Sequence, residues 1–256
     1  GRDYRVITSL DELRELAREI RKTCTHNTIA VDAEWHGEHP ENDGSYLRTI
    51  QLSWKHKTAA CIELRHAGGE KCFRGKFSKC AELLNDILEG RQIVGQFLAA
   101  DMEWLIPFGV NLQPMYEVPD SWEDYQNAAH DGLPCGFDAG LAWHACNETG
   151  DFGLTAMTLR FTSAPRYDVE LDEWKRRYCL DNGLKDKDLE GYGMCPREIL
   201  IPYANADADV TRRIAIKLRR CLDRDRHGNN CWEAFWRNMR AYQAVIEIKT
   251  TGITVD

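Results

Sequence analysis

The 256-residue sequence contains no apolar run approaching the ~20 residues that a membrane-crossing helix requires, so no span is expected. Its opening, GRDYRVITSL, lacks the basic-then-apolar layout of a secretory leader, and a protein that is not secreted is expected. Ten cysteines are present, but none fall as C-x2-C and no spacing resembles a zinc ligand set. Free thiols in a reducing, cytoplasmic setting follow from that pattern. A basic surplus is missing too: the net charge is −8. That balance argues against a broad electrostatic grip on a nucleic-acid backbone, unless some of the acids hold cations that reverse the local field. Internal repeats and low-complexity tracts are absent.

What remains is an ordinary globular composition, 43% hydrophobic and 29% charged, enough for one large domain with its own core. Tyr4 to Thr8 reads as a strand, and Ser9 with Glu12 forms a capping box opening a helix with Leu10, Leu13, Leu16 and Ile20 on one stripe. TIAVDAEW (28–35), LRTIQLSW (47–54), TAACIEL (58–64) and QIVGQ (92–96) read as strands. Helices are expected from about Lys79 to Leu88, from near Ala99, through AGLAWHACN and LTAMTLRF, through YANADADVTRRIAIKLRRCL, and from about Trp232. Pro202 is well placed to start the fifth of these. Residues 111–137, with three prolines, two glycines and little periodicity, read as a long irregular loop, and KDKDLEGYG as a charged connector. Strands first, with helices between and after them, predict an α/β layered domain built on one sheet.

Three places carry acids in telling positions. Asp32 and Glu34, two apart on a strand, point to one face, while Val31 and Ala33 take the other. Two carboxylates on an otherwise apolar strand are costly to hold together without cations, though a solvated strand end is the plainer reading of the pair alone. Asp101 sits where a strand-loop-helix unit turns, a position that also suits an acid complementing a helix dipole. Tyr203 and Asp207 are four apart, so a helix sets phenol and carboxylate on one face, whether at a site or on an exposed first turn.

In order and element type, these residues resemble the DEDDy exonucleases of the RNase H-like (DnaQ-like) superfamily, which includes the proofreading domains of family-A DNA polymerases and RNase D. VDAEW, VGQFLAADMEWL and YANADADVTRRI carry the resemblance, with LRTIQLSW, FDAGLAWHACNE and GLTAMTLRF in support. It implies a mixed central sheet flanked by helices, and catalysis by Asp32, Glu34, Asp101, Tyr203 and Asp207. The four acids would hold two divalent cations, Mg²⁺ or Mn²⁺, and Tyr203 would orient the attacking water. Asp32 would serve both ions, Glu34 and Asp207 would complete one, and Asp101 would support the other. Gln96 fits the second motif, whereas Phe97 stands where the family commonly has Asn. With Trp35, which either stacks on a terminal base or packs beside the sheet, these are the expected substrate contacts. His36 and His39 read as loop histidines, and the basic run KLRRCLDRDRH as a solvated helix face, with contact to DNA as the alternative.

AVIEIKTTGITVD resembles the passage from exonuclease to polymerase in family-A enzymes, with its Gly-Ile-x-Val-Asp signature. The expected organisation is an exonuclease domain over 1–240, and over 241–256 the start of a connection to a polymerase domain. A monomer acting on a single-stranded DNA 3′ end is implied. An RNase D-like RNA 3′ exonuclease or a catalytically silent nucleic-acid-binding domain are the alternatives.

Overall fold

The computed structural model describes residues 1–185 and 188–252. Six strands form a single sheet: β1 (Asp3–Ile7), β2 (Thr28–His36), β3 (Tyr46–Lys55), β4 (Thr58–Glu63), β5 (Gln92–Gly95) and β6 (Gly136–Asp138). Their spatial order is β1-β4-β3-β2-β5-β6. The central pairs, β2 with β3 and β3 with β4, are antiparallel; β1–β4, β2–β5 and β5–β6 are parallel. The middle strands read as near-continuous buried runs rather than alternating ones, because helices cover the sheet.

The helices are α1 (Leu10–Thr23), α2 (Phe77–Leu88), α3 (Ala99–Phe108), α4 (Trp122–Asp131), α5 (Ala139–Cys146), α6 (Leu154–Phe161), α7 (Val169–Asp181), α8 (Arg197–Asp223) and α9 (Trp232–Thr251). The expected capping box of α1 is formed: Ser9 Oγ accepts from the Glu12 amide and Glu12 returns a bond to the Ser9 amide. The longest helix, α8, lies along the sheet and touches β1 through β5. It also carries the acid expected at residue 207.

Three expectations need correction. The stretch 111–137 is not an irregular loop: a short 3-10 turn (Gln113–Met115), α4 and β6 occupy it. Ser121 caps α4 by accepting from the Asp124 amide, and Tyr125, Ala128 and Ala129 form its buried face, a stripe too short to stand out among the prolines. Pro202 does not start α8 but lies inside it. Pro196 supplies the extended residue before the first turn, and Pro202, at the sixth helical position, gives up the bond to the Glu198 carbonyl and crowds it. The basic run is not wholly solvated either. Arg219 is buried, donating to Thr28 Oγ1 and Gln92 Oε1, because α8 crosses the sheet at the start of β2 and β5.

The charged helix α7 carries no clean apolar stripe; only Leu171 and Cys179 are fully buried on it. Of the tail signature, Ile253 to Asp256 lie outside the described residues, and α9 runs without a break across residue 240.

Candidate active site

Strand β2 delivers Asp32 and Glu34 to the same face, opposite Gln51 and Thr49 of β3, just before the register shifts at Glu34/Trp35. Helix α8 brings Asp207 down onto them. One carboxylate oxygen from each of Asp32, Glu34 and Asp207 lies within 4.8 Å of the others. Oδ2 of Asp32 is buried with no hydrogen-bond partner, a state that costs free energy unless something positive faces it. Asp101, in the first turn of α3, is buried beside this trio rather than within it. Its Oδ1 accepts from the Ala33 amide at 2.8 Å, fastening α3 to β2 between the two strand acids.

The charges confirm the crowding. Burial raises the Asp32 carboxyl well above its ordinary range, and Asp101, Glu34 and Asp207 add to the rise. Glu34 is raised by burial, then by Asp207 and Asp101, with Lys175 and Arg48 opposing. Asp101 is pushed up to about 8, mainly by burial, although the Ala33 amide works against the shift. Asp207 reaches about 6: burial raises it, and hydrogen bonds from Tyr167 and Tyr203 pull it back. Four acids so placed are partly protonated without a counter-ion, and a divalent cation is what would hold them ionised together. The donors are all hard oxygens, which fit Mg²⁺ or Mn²⁺.

Tyr203 lies one turn before Asp207 on α8, partly buried beside the Tyr167 and Tyr192 rings at centroid distances of 5.9 and 6.2 Å. Burial and the neighbouring carboxylates raise its phenol, so it keeps its proton. Tyr167 is a residue that sequence reasoning missed: its Oη donates to Asp207 Oδ1 at 2.5 Å. Asp138 was missed as well. It is fully buried, accepts from the Leu98 and Leu141 amides, and is raised to about 6 by burial. Neither carries a local sequence signal, since the one precedes a helix with no apolar stripe and the other reads as a helix cap.

The expected substrate contacts are spread out. Trp35 stacks on Trp104 of α3 at 5.4 Å and 15°, so one ring face is already covered. Gln96 donates to the Phe152 carbonyl at 2.7 Å, and its own Oε1 is buried without a partner. Phe97 is 42% exposed at a left-handed φ of 55°. His36, expected in a loop, ends β2 because its backbone pairs with Tyr46, and its ring packs beside that residue's. His39, in the loop that follows, meets Glu103 at 3.0 Å. A groove of about 1080 Å³ opens beside Glu34 and Trp35, and Arg166, Lys175, Arg176 and Tyr192 line it.

A mixed sheet in this strand order, flanked by helices and carrying buried acids on its central strand and longest helix, defines an RNase H-like nuclease fold. A family model described as 3′-5′ exonuclease matches residues 4–223, and the chain belongs to the DEDDy 3′-5′ exonuclease family. The catalytic core of RRP6 from Trypanosoma brucei superposes with a TM-score of 0.56 at 12% identity, covering 95% of this chain and 52% of that one. Escherichia coli RNase D, described as an exoribonuclease involved in structured RNA processing, gives 0.56 at 17% identity over 96% and 51%. This chain thus spans about half the length of those two. A DNA polymerase of Escherichia phage T5 is 37% identical over 65 residues, 25% of this chain and 8% of that protein.

Proposed function

We propose that this chain is a metal-dependent 3′→5′ exonuclease that removes nucleoside monophosphates from single-stranded DNA 3′ ends, as the proofreading unit of a family-A DNA polymerase. The observation that carries the reading is the convergence of Asp32, Glu34 and Asp207 within 4.8 Å, with a buried, unpartnered Asp32 oxygen among them. Asp32, Glu34, Asp101 and Asp207 would hold two Mg²⁺ or Mn²⁺ ions. When bound, such ions make hydroxide available and neutralise charge on the leaving 3′ oxygen. The protein's own part is positional. Tyr203, proton retained, hydrogen-bonds and orients the attacking water, while Tyr167 fixes the rotamer of Asp207. Arg166, Lys175 and Arg176 set three cations in the groove, interleaved with Glu38, Asp172, Asp188 and Glu190, so they offer point contacts to a strand's phosphates rather than a positive surface.

The polymerase context is supported by the phage T5 likeness and by the resemblance of residues 244–256 to the exonuclease-to-polymerase passage. On that reading, 1–240 is the exonuclease and 241–256 begins the connection. The test is hydrolysis of matched 5′-labelled DNA and RNA single strands with Mg²⁺ or Mn²⁺. Stepwise shortening of DNA from the 3′ end, stopped by EDTA, is expected. Preference for RNA would replace proofreading with RNA trimming, and no shortening of either would leave a silent domain.

A further inference from the structure

Besides the acid cluster, one other group of metal-ligating side chains gathers among the described residues, and it has a different chemistry. Glu63 ends β4 and is fully buried. Its Oε2 accepts from Arg197 Nε at 2.7 Å, while Oε1 lies 3.1 Å from His66 Nδ1. Cys72 Sγ lies 3.8 Å from that same nitrogen. One donor atom from each of the three residues lies within 4.8 Å of the others. We propose that Glu63, His66 and Cys72 form a second metal site, for a borderline-soft divalent ion of the zinc class.

The three side chains are gathered closely enough for such an ion, with one edge already set. Zinc bonds of about 2.0–2.3 Å in a tetrahedron put nitrogen and oxygen ligands ~3.3 Å apart and nitrogen and sulfur ~3.6 Å apart. The 3.1 Å between Glu63 and His66 Nδ1 is already near the first value. Cys72 Sγ stands 3.8 Å from Nδ1 and 3.5 Å from Nε2, beside the ring rather than ahead of either nitrogen. The half-exposed imidazole must therefore turn about its Cβ–Cγ bond to share an ion with the sulfur. The backbone holds the ligands in place beforehand. The His66 amide donates to the Glu70 carbonyl and the Cys72 amide to the Leu64 carbonyl, both at 2.9 Å, closing a tight hairpin. Gly68 and Gly69, at φ of 81° and 93°, make its tip. The His66 side chain is 43% exposed, leaving an entry path and room for a water as fourth ligand. On binding, the Cys72 thiol loses its proton to solvent and the metal–sulfur bond replaces the S–H bond.

The two clusters differ in what they select. Oxygen-only donors favour Mg²⁺ or Mn²⁺, whereas a thiolate, an imidazole and one carboxylate favour zinc. A search for paired cysteines misses the second site, because its third ligand is a glutamate brought in by a strand end. The registers Glu34↔Thr49 and Thr49↔Glu63 place Glu63 on the same row of the sheet as Glu34, two strand spacings or ~10 Å away. Through Arg197, the first residue of α8, the bound ion would fasten β4 and its loop to the helix that carries Tyr203 and Asp207.

Cobalt(II) is the probe, because a thiolate ligand gives it a charge-transfer absorption that oxygen ligands do not. The full chain, reduced and stripped with EDTA, should develop that band with one equivalent of Co²⁺ and lose it when Zn²⁺ is added. Asp32→Ala should keep the band. Cys72→Ser should abolish it, and His66→Ala, which removes a direct ligand, should weaken cobalt binding by more than the ~10–100-fold that loss of an outer partner costs. Because the His66 ring is half outside, His66→Ala decides the matter even if Cys72→Ser does not fold. A wild-type chain without the band overturns the proposal, as does a band unchanged in His66→Ala. Neither result bears on exonuclease activity in Mg²⁺ or Mn²⁺, which is read separately.

Discussion

Tyr167 donates its phenolic proton to Asp207 across 2.5 Å, and the two residues come from separate parts of the chain, joined only by the fold. The bond lowers the Asp207 carboxyl against the rise that burial causes. Tyr167→Phe should therefore raise the Mg²⁺ or Mn²⁺ concentration needed for half-maximal activity, by ~10–100-fold as for outer partners of metal ligands. Tyr203→Phe should instead lower kcat with little change in KM. Metal titrations and full kinetics of both variants separate the roles; an unchanged rate in Tyr203→Phe removes it from the mechanism.

Asp207 and Asp209 are two residues apart on one helix and should respond to alanine in opposite ways. Asp209 is fully buried and accepts from Tyr4 Oη and the Lys57 amide, both at 2.9 Å, with Arg213 alongside. Removing it strands those groups and should destabilise by about 3–5 kcal/mol, as breaking buried pairs does. Asp207→Ala should abolish hydrolysis yet leave the metal-free fold as stable or more so, since it deletes a carboxyl that burial disfavours. Denaturant melts beside activity assays test the pair; a collapsed Asp207→Ala would refute this division.

The raised acids make a pH prediction. A folded-state value above the ordinary carboxylate range of about 4 favours folding while the group is protonated, and that contribution is lost as pH climbs through the folded value. With Asp207 at about 6 and Asp101 at about 8, EDTA-treated protein should lose stability steadily between pH 4 and 8. Saturating Mn²⁺ should flatten the decline, because bound cations keep the carboxylates ionised in the fold. The stability gap between wild type and Asp207→Asn should change between pH 4 and about 6 in EDTA and level off above. A gap that stays constant with pH counts against the shift.

Phe97 lies over Gly140 so closely that a Cβ on the glycine would come within 2.5 Å of the ring. Gly140→Ala, otherwise favourable in a helix, should cost about 1–3 kcal/mol through overpacking. Most of that loss should return in the Phe97→Ala, Gly140→Ala double variant. Thermal melts of the three proteins check it, and an additive double variant would deny the contact.

The α1 cap was legible locally, from its Ser9–Glu12 pair. The candidate site was legible only from its pieces together. Alternation put Asp32 and Glu34 on one strand face and helical spacing paired Tyr203 with Asp207, but each also suited a solvated surface until read in order with Asp101. What escaped depends on partners distant in sequence. Tyr167 acquires its role only when α8 arrives, and Arg219 reads as a surface cation until β2 and β5 surround it. Helix α4 hid behind flanking prolines, and α7 shows too few buried positions to set a period. The left-handed backbone at Phe97 would suit the family's Asn better, and Phe97 adopts it while lying on Gly140.

Helix α8 is a single rod pinned at several heights: Arg197 to Glu63 at its start, Asp209 to Tyr4 and Lys57, Arg212 to Thr28, and Arg219 to Gln92. Asp207 sits between these anchors, ~18 Å along the axis from Arg219. Deleting one residue from the stretch between Asp207 and Arg212 would swing one end about 100° relative to the other, so the acid and the anchors could not both be seated. The rod should accept changes of side chain on its exposed positions but none of length, and that intolerance reaches Asp207 from contacts far outside the groove.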